Sequence, residues 1–456
     1  MRIAPLVLAL LASTPGYAAA GTTPRFEMGF KEAVEAAVER SEDLAAGKRD
    51  LEAARQKALG TAGGLLLPRL SLDGSWRYAS EVPEFTPIPG RPPVILGDNE
   101  SWSVGPAASW TAWDWGASWM AWKSVSLRRA AREAEVDGMR RQAELGASLA
   151  YFQVQMAAEQ VRLVADSLKL AQAQYRDITL RQESGAASRI DLLQAHQEVL
   201  TRRRLLASAR ADLGGALQDL FARTGRGEDA DTSLPMDEKS AAAMPADAAA
   251  PTLVVAIEPL DAAFSALGTV TARGPDPNHP SVAAQEKLAA ASRSVASGML
   301  ASHFPRLAVT GRISREYPNG PELVEFTQKA VGLSVSMPLF EGGRTFRDEW
   351  EQRETAKAAE SRAAKARRDL ARDWRKASER LALLKEQAAI NETAAKETGE
   401  LADLVYEAYR AGGARFIEVQ AANLKAMEAK VQEARTRVEM LGQLAVLRSL
   451  AGEEKR

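Results

Sequence analysis

The sequence predicts a mainly α-helical chain with a membrane β-barrel portion, in which long coiled-coil helical hairpins are combined with four transmembrane β-strands. Three observations predict this fold. The same arrangement of elements occurs twice, proline-free stretches are too long for an ordinary globular domain, and short alternating segments have the length of membrane-crossing strands. The composition agrees, because 26% charged residues, 6% aromatic residues and frequent alanine are typical of long helices.

Four groups of residues recur in the same order, which indicates an internal duplication. Residues 68–74 match residues 305–311 at an offset of 237, and residues 104–116 match residues 331–343 at an offset of 227. The other matches at 227 pair Gly185, Ile190, Asp191 and Ala195 with Gly412, Ile417, Glu418 and Ala422, and Thr224-Gly225 with Ala451-Gly452. The duplication predicts a first repeat over 21–225, an inter-repeat linker or equatorial segment over 226–278, and a second repeat over 279–456.

Each repeat predicts a helix, two strands, a very long helix, a turn and a return helix. Residues 118–184 form a stretch of 67 residues without proline, equivalent to roughly 100 Å of helix. Apolar residues recur there at alternating spacings of three and four, as in coiled coils, although an ordinary helical bundle has the same rhythm. We expect long hairpins over 116–225 and 343–452, and a single helix from about Lys31 to Leu66.

Two alternating segments precede each long helix, over about 69–112 and 306–338. Each segment has about ten residues, the length of a tilted strand that crosses a bilayer. A soluble antiparallel sheet with one wet face has the same alternation. Four strands cannot close a barrel, and open edges are not tolerated in hydrocarbon, so spanning strands require several chains. Three chains give twelve strands and a lumen, whereas an eight-stranded interior usually fills with side chains.

The first twenty residues predict a secretory signal peptide that is cleaved near Ala20, because a basic residue, a short apolar stretch and small residues follow one another. The chain has no cysteine, which excludes disulfides and thiolate chemistry. The 59 basic and 60 acidic residues balance, so no nucleic-acid partner is expected. The three histidines are not spaced to share a metal, and no cofactor motif or catalytic constellation occurs, so we expect a protein that is not an enzyme.

These features resemble the TolC family of outer-membrane factors. The resemblance rests on the paired Pro-Arg-Leu strand entries, the strand exits 114–116 and 338–343, and the turns at Gly185 and Gly412. It implies a homotrimer in the outer membrane, with lipid around a twelve-stranded barrel and an α-helical periplasmic tunnel below it. It further implies an exit duct for a tripartite efflux or type I secretion system. Such a duct docks through its periplasmic tips to an adaptor protein and an inner-membrane transporter.

The resemblance also implies functional residues at the tunnel tip. Tyr409 resembles the gating tyrosine of the family, with Asp191 as the expected acceptor of its hydroxyl. Glu418 takes the place of a lumen-facing acid, and Arg415 is one position later than the basic residue of the family. The turns expected to contact the adaptor contain Gly185, Ala186, Ala187, Ser188, Gly412, Gly413 and Ala414.

The main alternative is a periplasmic coiled-coil adaptor protein. Adaptors typically carry one helical hairpin between short-stranded domains, whereas this sequence predicts two hairpins and little else. The sequence does not identify the transported substrate.

Overall fold

A computed structural model describes residues 25–85, 94–226, 254–258, 260–267, 274–340 and 342–451. The predicted signal peptide, with its cleavage site near Ala20, and much of the predicted linker lie outside these ranges. In chain order the elements are β1 (Arg25–Met28), α1 (Phe30–Arg40), α2 (Glu42–Leu66), β2 (Arg69–Tyr78), β3 (Glu84–Phe85), β4 (Val94–Ile95), β5 (Glu100–Trp113), α3 (Ala117–Glu183), α4 (Arg189–Thr224), β6 (Val254–Ile257), α5 (Leu260–Leu267), α6 (Pro280–Ala301), β7 (Arg306–Tyr317), β8 (Phe326–Ser336), α7 (Arg344–Arg410) and α8 (Phe416–Ala451).

The two long helices, α3 and α7, each contain 67 residues. They form because alanine, leucine and long charged side chains dominate both segments and no proline interrupts them. Many of their buried residues are alanine, as at Ala356, Ala359, Ala363 and Ala377 of α7, and larger side chains such as Leu370 and Trp374 are buried as well. Small residues at buried positions let neighbouring helices approach closely. None of the helices in the described ranges is both long enough and apolar enough to cross a membrane.

The prediction of one helix from Lys31 to Leu66 is wrong, because the helix is interrupted at Ser41. The backbone of Ser41 is non-helical, and its Oγ accepts a hydrogen bond from the amide of Leu44 at 3.2 Å. Glu42 and Asp43 follow in the first turn of α2, where carboxylates favour the positive end of the helix dipole. A serine followed by two acidic residues therefore starts a new helix inside a segment of uniform helical composition.

One compact unit comprises the described residues within 41–146, 274–382 and 443–451, and it contains a four-stranded antiparallel sheet in the order β2-β5-β7-β8. The two hairpins of this sheet have the same register. Arg69 lies opposite Ser109 in the first hairpin, and Arg306 lies opposite Ser336 in the second. These two pairs are related by the sequence offsets of 237 and 227, as a duplication requires. The pairing of β5 with β7 joins the two repeats.

The two faces of the sheet differ in polarity. Hydrogen bonds connect polar side chains across three strands, because Ser75 Oγ lies 3.4 Å from Ser103 Oγ and Arg312 Nη2 donates to Ser103 Oγ at 2.6 Å. On the other face, the rings of Trp102 and Tyr317 stack with centroids 6.4 Å apart. The alternation predicted for these segments is therefore present in the folded sheet. The short strands β3 and β4 form a separate two-stranded ribbon beyond it.

The other compact unit comprises the described residues within 25–40, 147–267 and 383–442. It contains a two-stranded parallel pairing of β1 with β6. The hydroxyl of Tyr151 links the ends of these strands, because it donates to the carbonyl of Met28 at 3.0 Å and accepts from the amide of Glu258 at 3.2 Å. Burial raises the pKa of Tyr151 to about 12. Phe30 stacks on Phe152 beside it, with ring centroids 5.4 Å apart.

Candidate functional site at the helical hairpin tips

The turns between the long and return helices have the same backbone conformation in both hairpins. Gly185 has φ +78° and Gly412 has φ +81°, in the left-handed region that favours glycine. The amide of Ala186 donates to the carbonyl of Arg181 at 2.7 Å, and the amide of Gly413 donates to the carbonyl of Ala408 at 2.9 Å. These hydrogen bonds close the C-terminal ends of α3 and α7 in the same way.

Ser188 and Asp191 form a capping box at the start of α4. The amide of Asp191 donates to Ser188 Oγ at 3.1 Å, and the amide of Ser188 donates to Asp191 Oδ2 at 3.3 Å. The second hairpin has Arg415 and Glu418 at the equivalent positions, so a side-chain cap of this kind is missing there. Instead the amide of Glu418 donates to the carbonyl of Arg415 at 3.0 Å.

An apolar cluster joins the two hairpins just above the turns. Its buried members come from α3, α4 and α8, and they are Ile178, Ala195, Phe416 and Val419. Each of these side chains is at most 1% exposed. Tyr175, Ala187, Leu192, Val405, Tyr406 and Tyr409 pack around them. Of the residues predicted to contact the adaptor, Ala187 is therefore partly buried, whereas Ala186 and Ser188 are exposed.

Asp177 accepts two hydrogen bonds near this cluster, one from the other hairpin and one from its own helix. The hydroxyl of Tyr406 donates to Asp177 Oδ2 at 3.0 Å, and Nε of Arg181 donates to the same oxygen at 3.1 Å. Arg181 also donates through Nη1 to the carbonyl of Arg410 at 3.1 Å. Burial, followed by the hydrogen bond to Asp177, raises the pKa of Tyr406 to about 12. Tyr406 is therefore a neutral donor throughout the physiological pH range.

The expected hydrogen bond between Tyr409 and Asp191 is absent, because Asp191 caps its own helix. Within the described residues the Tyr409 hydroxyl has no hydrogen-bond partner, and its ring packs on Phe416 with centroids 5.5 Å apart. The pKa of Tyr409 is raised by burial and, secondarily, by the negative charge of Asp191. Asp191 therefore lies close enough to influence Tyr409 electrostatically. The tyrosine whose hydroxyl bonds across the hairpins is Tyr406, one helical turn earlier.

The charged residues predicted for the second tip are exposed. Arg415 and Glu418 both face solvent, and neither forms a salt bridge with any described residue. Tyr409 and Glu418 lie on α7 and α8, the two arms of one hairpin. The tip thus presents an unpaired carboxylate and an unpaired guanidinium, while its aromatic side chains lie in the apolar cluster.

Sequence reasoning did not identify the pairing of Asp177 with Tyr406. The sequence contains one signal for the position of Asp177, because Asp177 and Arg181 are four residues apart on α3. This is the spacing of an intrahelical ion pair, and it does not indicate Tyr406 as a third member. Further polar contacts between the hairpins also lack a sequence signature. Gln420 donates to the carbonyl of Gln194 at 3.2 Å, and Asn423 donates to the side chain of Gln174 at 3.2 Å.

A comparison with protein-family models matches residues 33–226 and 277–453 to the outer membrane efflux protein family. The chain belongs to this family. The match covers both repeats, and the predicted resemblance to TolC-like outer-membrane factors is confirmed. A search of curated proteins found no match.

Solved structures of outer-membrane proteins have the same fold. The outer-membrane channel OprN superposes with a TM-score of 0.73 at 18% identity, covering 93% of this chain and 90% of that chain. The outer membrane protein VceC from Vibrio cholerae gives 0.73 at 16% identity, covering 93% and 96%. The open state of the Neisseria gonorrhoeae MtrE outer membrane channel gives 0.72 at 17% identity, covering 93% and 89%. The predicted fold class, long helices with a small β portion, is confirmed.

Family membership supports an efflux channel role in the outer membrane. It does not support the alternative of a periplasmic adaptor protein, because the matching family is one of outer-membrane channels rather than adaptors. The family and its structural neighbours are channels, which agrees with a protein that is not an enzyme.

Proposed function

We propose that this chain is one copy of a homotrimeric exit duct for a tripartite efflux or type I secretion system. The observation that carries the proposal is the junction of the two hairpin tips. Two turns of the same conformation end helices that share one apolar cluster and the hydrogen bond from Tyr406 to Asp177. Such a junction can hold the tips of one chain together, and it can release them when a few polar contacts break. Three copies around one axis would bring six tips to a single constriction.

The sheet supports the placement of this duct in a membrane. Its apolar face is exposed, as Leu70 and Leu72 show with 76% and 75% of their surface accessible in the single chain. Outer-membrane lipid would cover this face, and the polar face with Ser103 and Arg312 would line a lumen. We expect a signal peptide ending near Ala20 to direct the chain out of the cytoplasm. Fractionation should recover detergent-requiring trimers from the outer membrane, whereas release by osmotic shock would contradict the proposal.

Glu418 and Arg415 are the proposed constriction residues, with Tyr409 and Asp191 beside them. Three exposed Glu418 carboxylates around an axis would attract cations, as acidic rings do in cation channels. Glu418→Ala should therefore lower the cation-to-anion permeability ratio in planar bilayers. Glu428→Ala is the matched control, because it removes the same charge from an exposed position further along α8. If both variants change the ratio equally, the constriction does not depend on Glu418.

The proposed partners are a periplasmic adaptor protein and an inner-membrane transporter, which would meet the duct at its turns. The proposed contact residues are Gly185, Ala186, Ala187, Ser188, Gly412, Gly413 and Ala414. Ala186 is exposed and lies outside the apolar cluster, so Ala186→Trp should obstruct docking without disturbing the fold. We expect export in the native host to fall while the conductance of the purified channel stays unchanged. If export and channel conductance both fell, the substitution would have damaged the tip itself. If neither fell, this turn would not be part of the docking surface.

A further inference from the structure

The polar face of the four-stranded sheet carries more positive than negative charge. Because side chains alternate between the two faces of a strand, this face contains four arginines, two on β2 and two on β7. They are Arg69, Arg77, Arg306 and Arg312. The same face contains two carboxylates, Asp73 on β2 and Glu316 on β7. Four arginines less two acids give this face a net charge of +2 per chain.

We propose that this face binds oxyanions, the carboxylate or phosphate groups of anionic cargo, at a site formed by Arg77, Arg312, Ser75 and Ser103. These four residues are called the arginine site below. The inference rests on the proposed function and deepens it, because the polar face lines the lumen of the proposed duct. Three copies around one axis would place three such sites at one level of the lumen, where their positive charges attract anions.

The carboxylates of the polar face do not neutralise its arginines. Ser71 Oγ donates to Asp73 Oδ2 at 3.2 Å, and Ser314 Oγ donates to Glu316 Oε1 at 2.6 Å. Both acids are therefore held by neutral hydroxyls of their own strands. Within the described residues, none of the four arginines on this face forms an ion pair with an acidic side chain. Their charge is available to an anion that enters the lumen.

The guanidinium of Arg312 is only partly satisfied. Its Nη2 donates to Ser103 Oγ at 2.6 Å, whereas its Nε is buried and has no hydrogen-bond partner among the described residues. Nε and Nη2 form one edge of the guanidinium, and such an edge binds two oxygens of a carboxylate or phosphate at once. A buried donor without an acceptor costs free energy. An oxyanion that replaces the Ser103 hydroxyl as the acceptor would satisfy both donors.

The surroundings of Arg312 suit such an anion. Ser75 Oγ lies 3.4 Å from Ser103 Oγ, so two hydroxyls stand beside the guanidinium. Arg77 is exposed and lies two residues further along β2 than Ser75, on the same face. The nearest polar-face positions on β5 and β8 carry no side chain larger than a methyl group, and they are Gly105, Ala107, Ala330 and Gly332. Two cations and two hydroxyls therefore border a part of the face that bulky side chains do not fill.

Block of the channel by inorganic pyrophosphate measures oxyanion binding in planar bilayers. We expect pyrophosphate to reduce the conductance of the unsubstituted channel. Arg312→Gln and Arg77→Gln should each raise the half-blocking concentration about tenfold, because each removes a charge-assisted hydrogen-bond donor. Arg315→Gln is the matched control, because Arg315 lies on the opposite face of β7 and pairs with Glu325 at 2.7 Å. This control should leave the half-blocking concentration unchanged.

Reversal potentials in a gradient of potassium chloride give a second readout. Arg312→Gln and Arg77→Gln should both shift the potential towards the value for cation selectivity, and Arg315→Gln should not. Arg77→Gln alone decides the test if Arg312→Gln does not assemble, since Arg77 is exposed and forms no hydrogen bond with a described side chain.

Two results would overturn the arginine site and leave the proposed duct intact. One is equal block of the unsubstituted channel and the Arg77→Gln variant, and the other is an equal loss of block in Arg315→Gln. A purified protein that forms no channel in bilayers would overturn the duct itself, and the inference with it.

Discussion

Replacing Tyr406 by phenylalanine should open the hairpin junction without disturbing its packing. The substitution removes only the hydroxyl that donates to Asp177 at 3.0 Å, and it keeps the ring against the apolar cluster. Hydrogen bonds to charged groups contribute about 1.5–3 kcal/mol. Because Tyr406 and Asp177 are both only partly buried, about 1 kcal/mol per copy is a reasonable magnitude. This shifts an equilibrium about fivefold, or roughly 100-fold if three copies must release together.

Single-channel recording in planar bilayers measures this effect as an increase in open probability or in the conductance of the resting channel. Tyr409→Phe is the matched control, because it removes a hydroxyl that has no described hydrogen-bond partner from the neighbouring turn of the same helix. The Tyr406 effect should be the same at pH 6 and pH 8, since a pKa of about 12 keeps the phenol protonated. A resting channel that responds to Tyr409→Phe and ignores Tyr406→Phe would refute the reasoning.

Three further predictions concern other parts of the fold. Gly105→Ala should prevent assembly of the sheet, because the added Cβ would lie 2.0 Å from the carbonyl oxygen of Ile313. Gly311→Ala is the control, because a Cβ added there meets nothing within 4 Å. Heat-resistant protein on gels should be lost for Gly105→Ala only. Burial, aided by the charge of Arg141, lowers the pKa of His279. The stability of the fold should therefore fall as the pH drops below about 6.5, because the folded state disfavours the protonated imidazole. Thermal unfolding at pH 7.5 and 5.5 should show a smaller fall in stability for His279→Asn than for the unsubstituted protein. Ser188→Ala should destabilise the first turn of α4 by about 1 kcal/mol, which hydrogen exchange of its amides would detect, and unchanged exchange would contradict the role of the cap.

The long helices and the strands were predictable because their signals extend over many residues. The helix expected over 118–184 is Ala117–Glu183, and the strand entry expected near Pro305 leads into β7 at Arg306. Hydrophobic periodicity is averaged over many residues in such segments, so a single residue that departs from the pattern does not shift the predicted bounds of a helix or strand. The break at Ser41 was missed for the opposite reason, since one capping serine in a segment of good helix formers changes no average.

The candidate site was predictable only in part, because it depends on which side chains compete for one carboxylate. The resemblance suggested that Tyr409 bonds to Asp191. Ser188, three residues before Asp191, binds the same carboxylate locally, and a local hydrogen bond costs less ordering than one across two hairpins. The bond from Tyr406 to Asp177 depends on the relative rotation of two helices, which a sequence does not encode in any short motif.

The two tips share a backbone conformation but differ in how their return helices begin. The Ser188–Asp191 capping box stabilises the first turn of α4, while α8 begins at Phe416 after an arginine whose side chain offers no acceptor to the free amides. We expect α8 to unwind at its start more readily than α4. In a ring of three chains, three compliant hairpins would alternate with three stiff ones. The aperture would then widen because the α7–α8 hairpin of each chain bends, while the α3–α4 hairpin keeps its position.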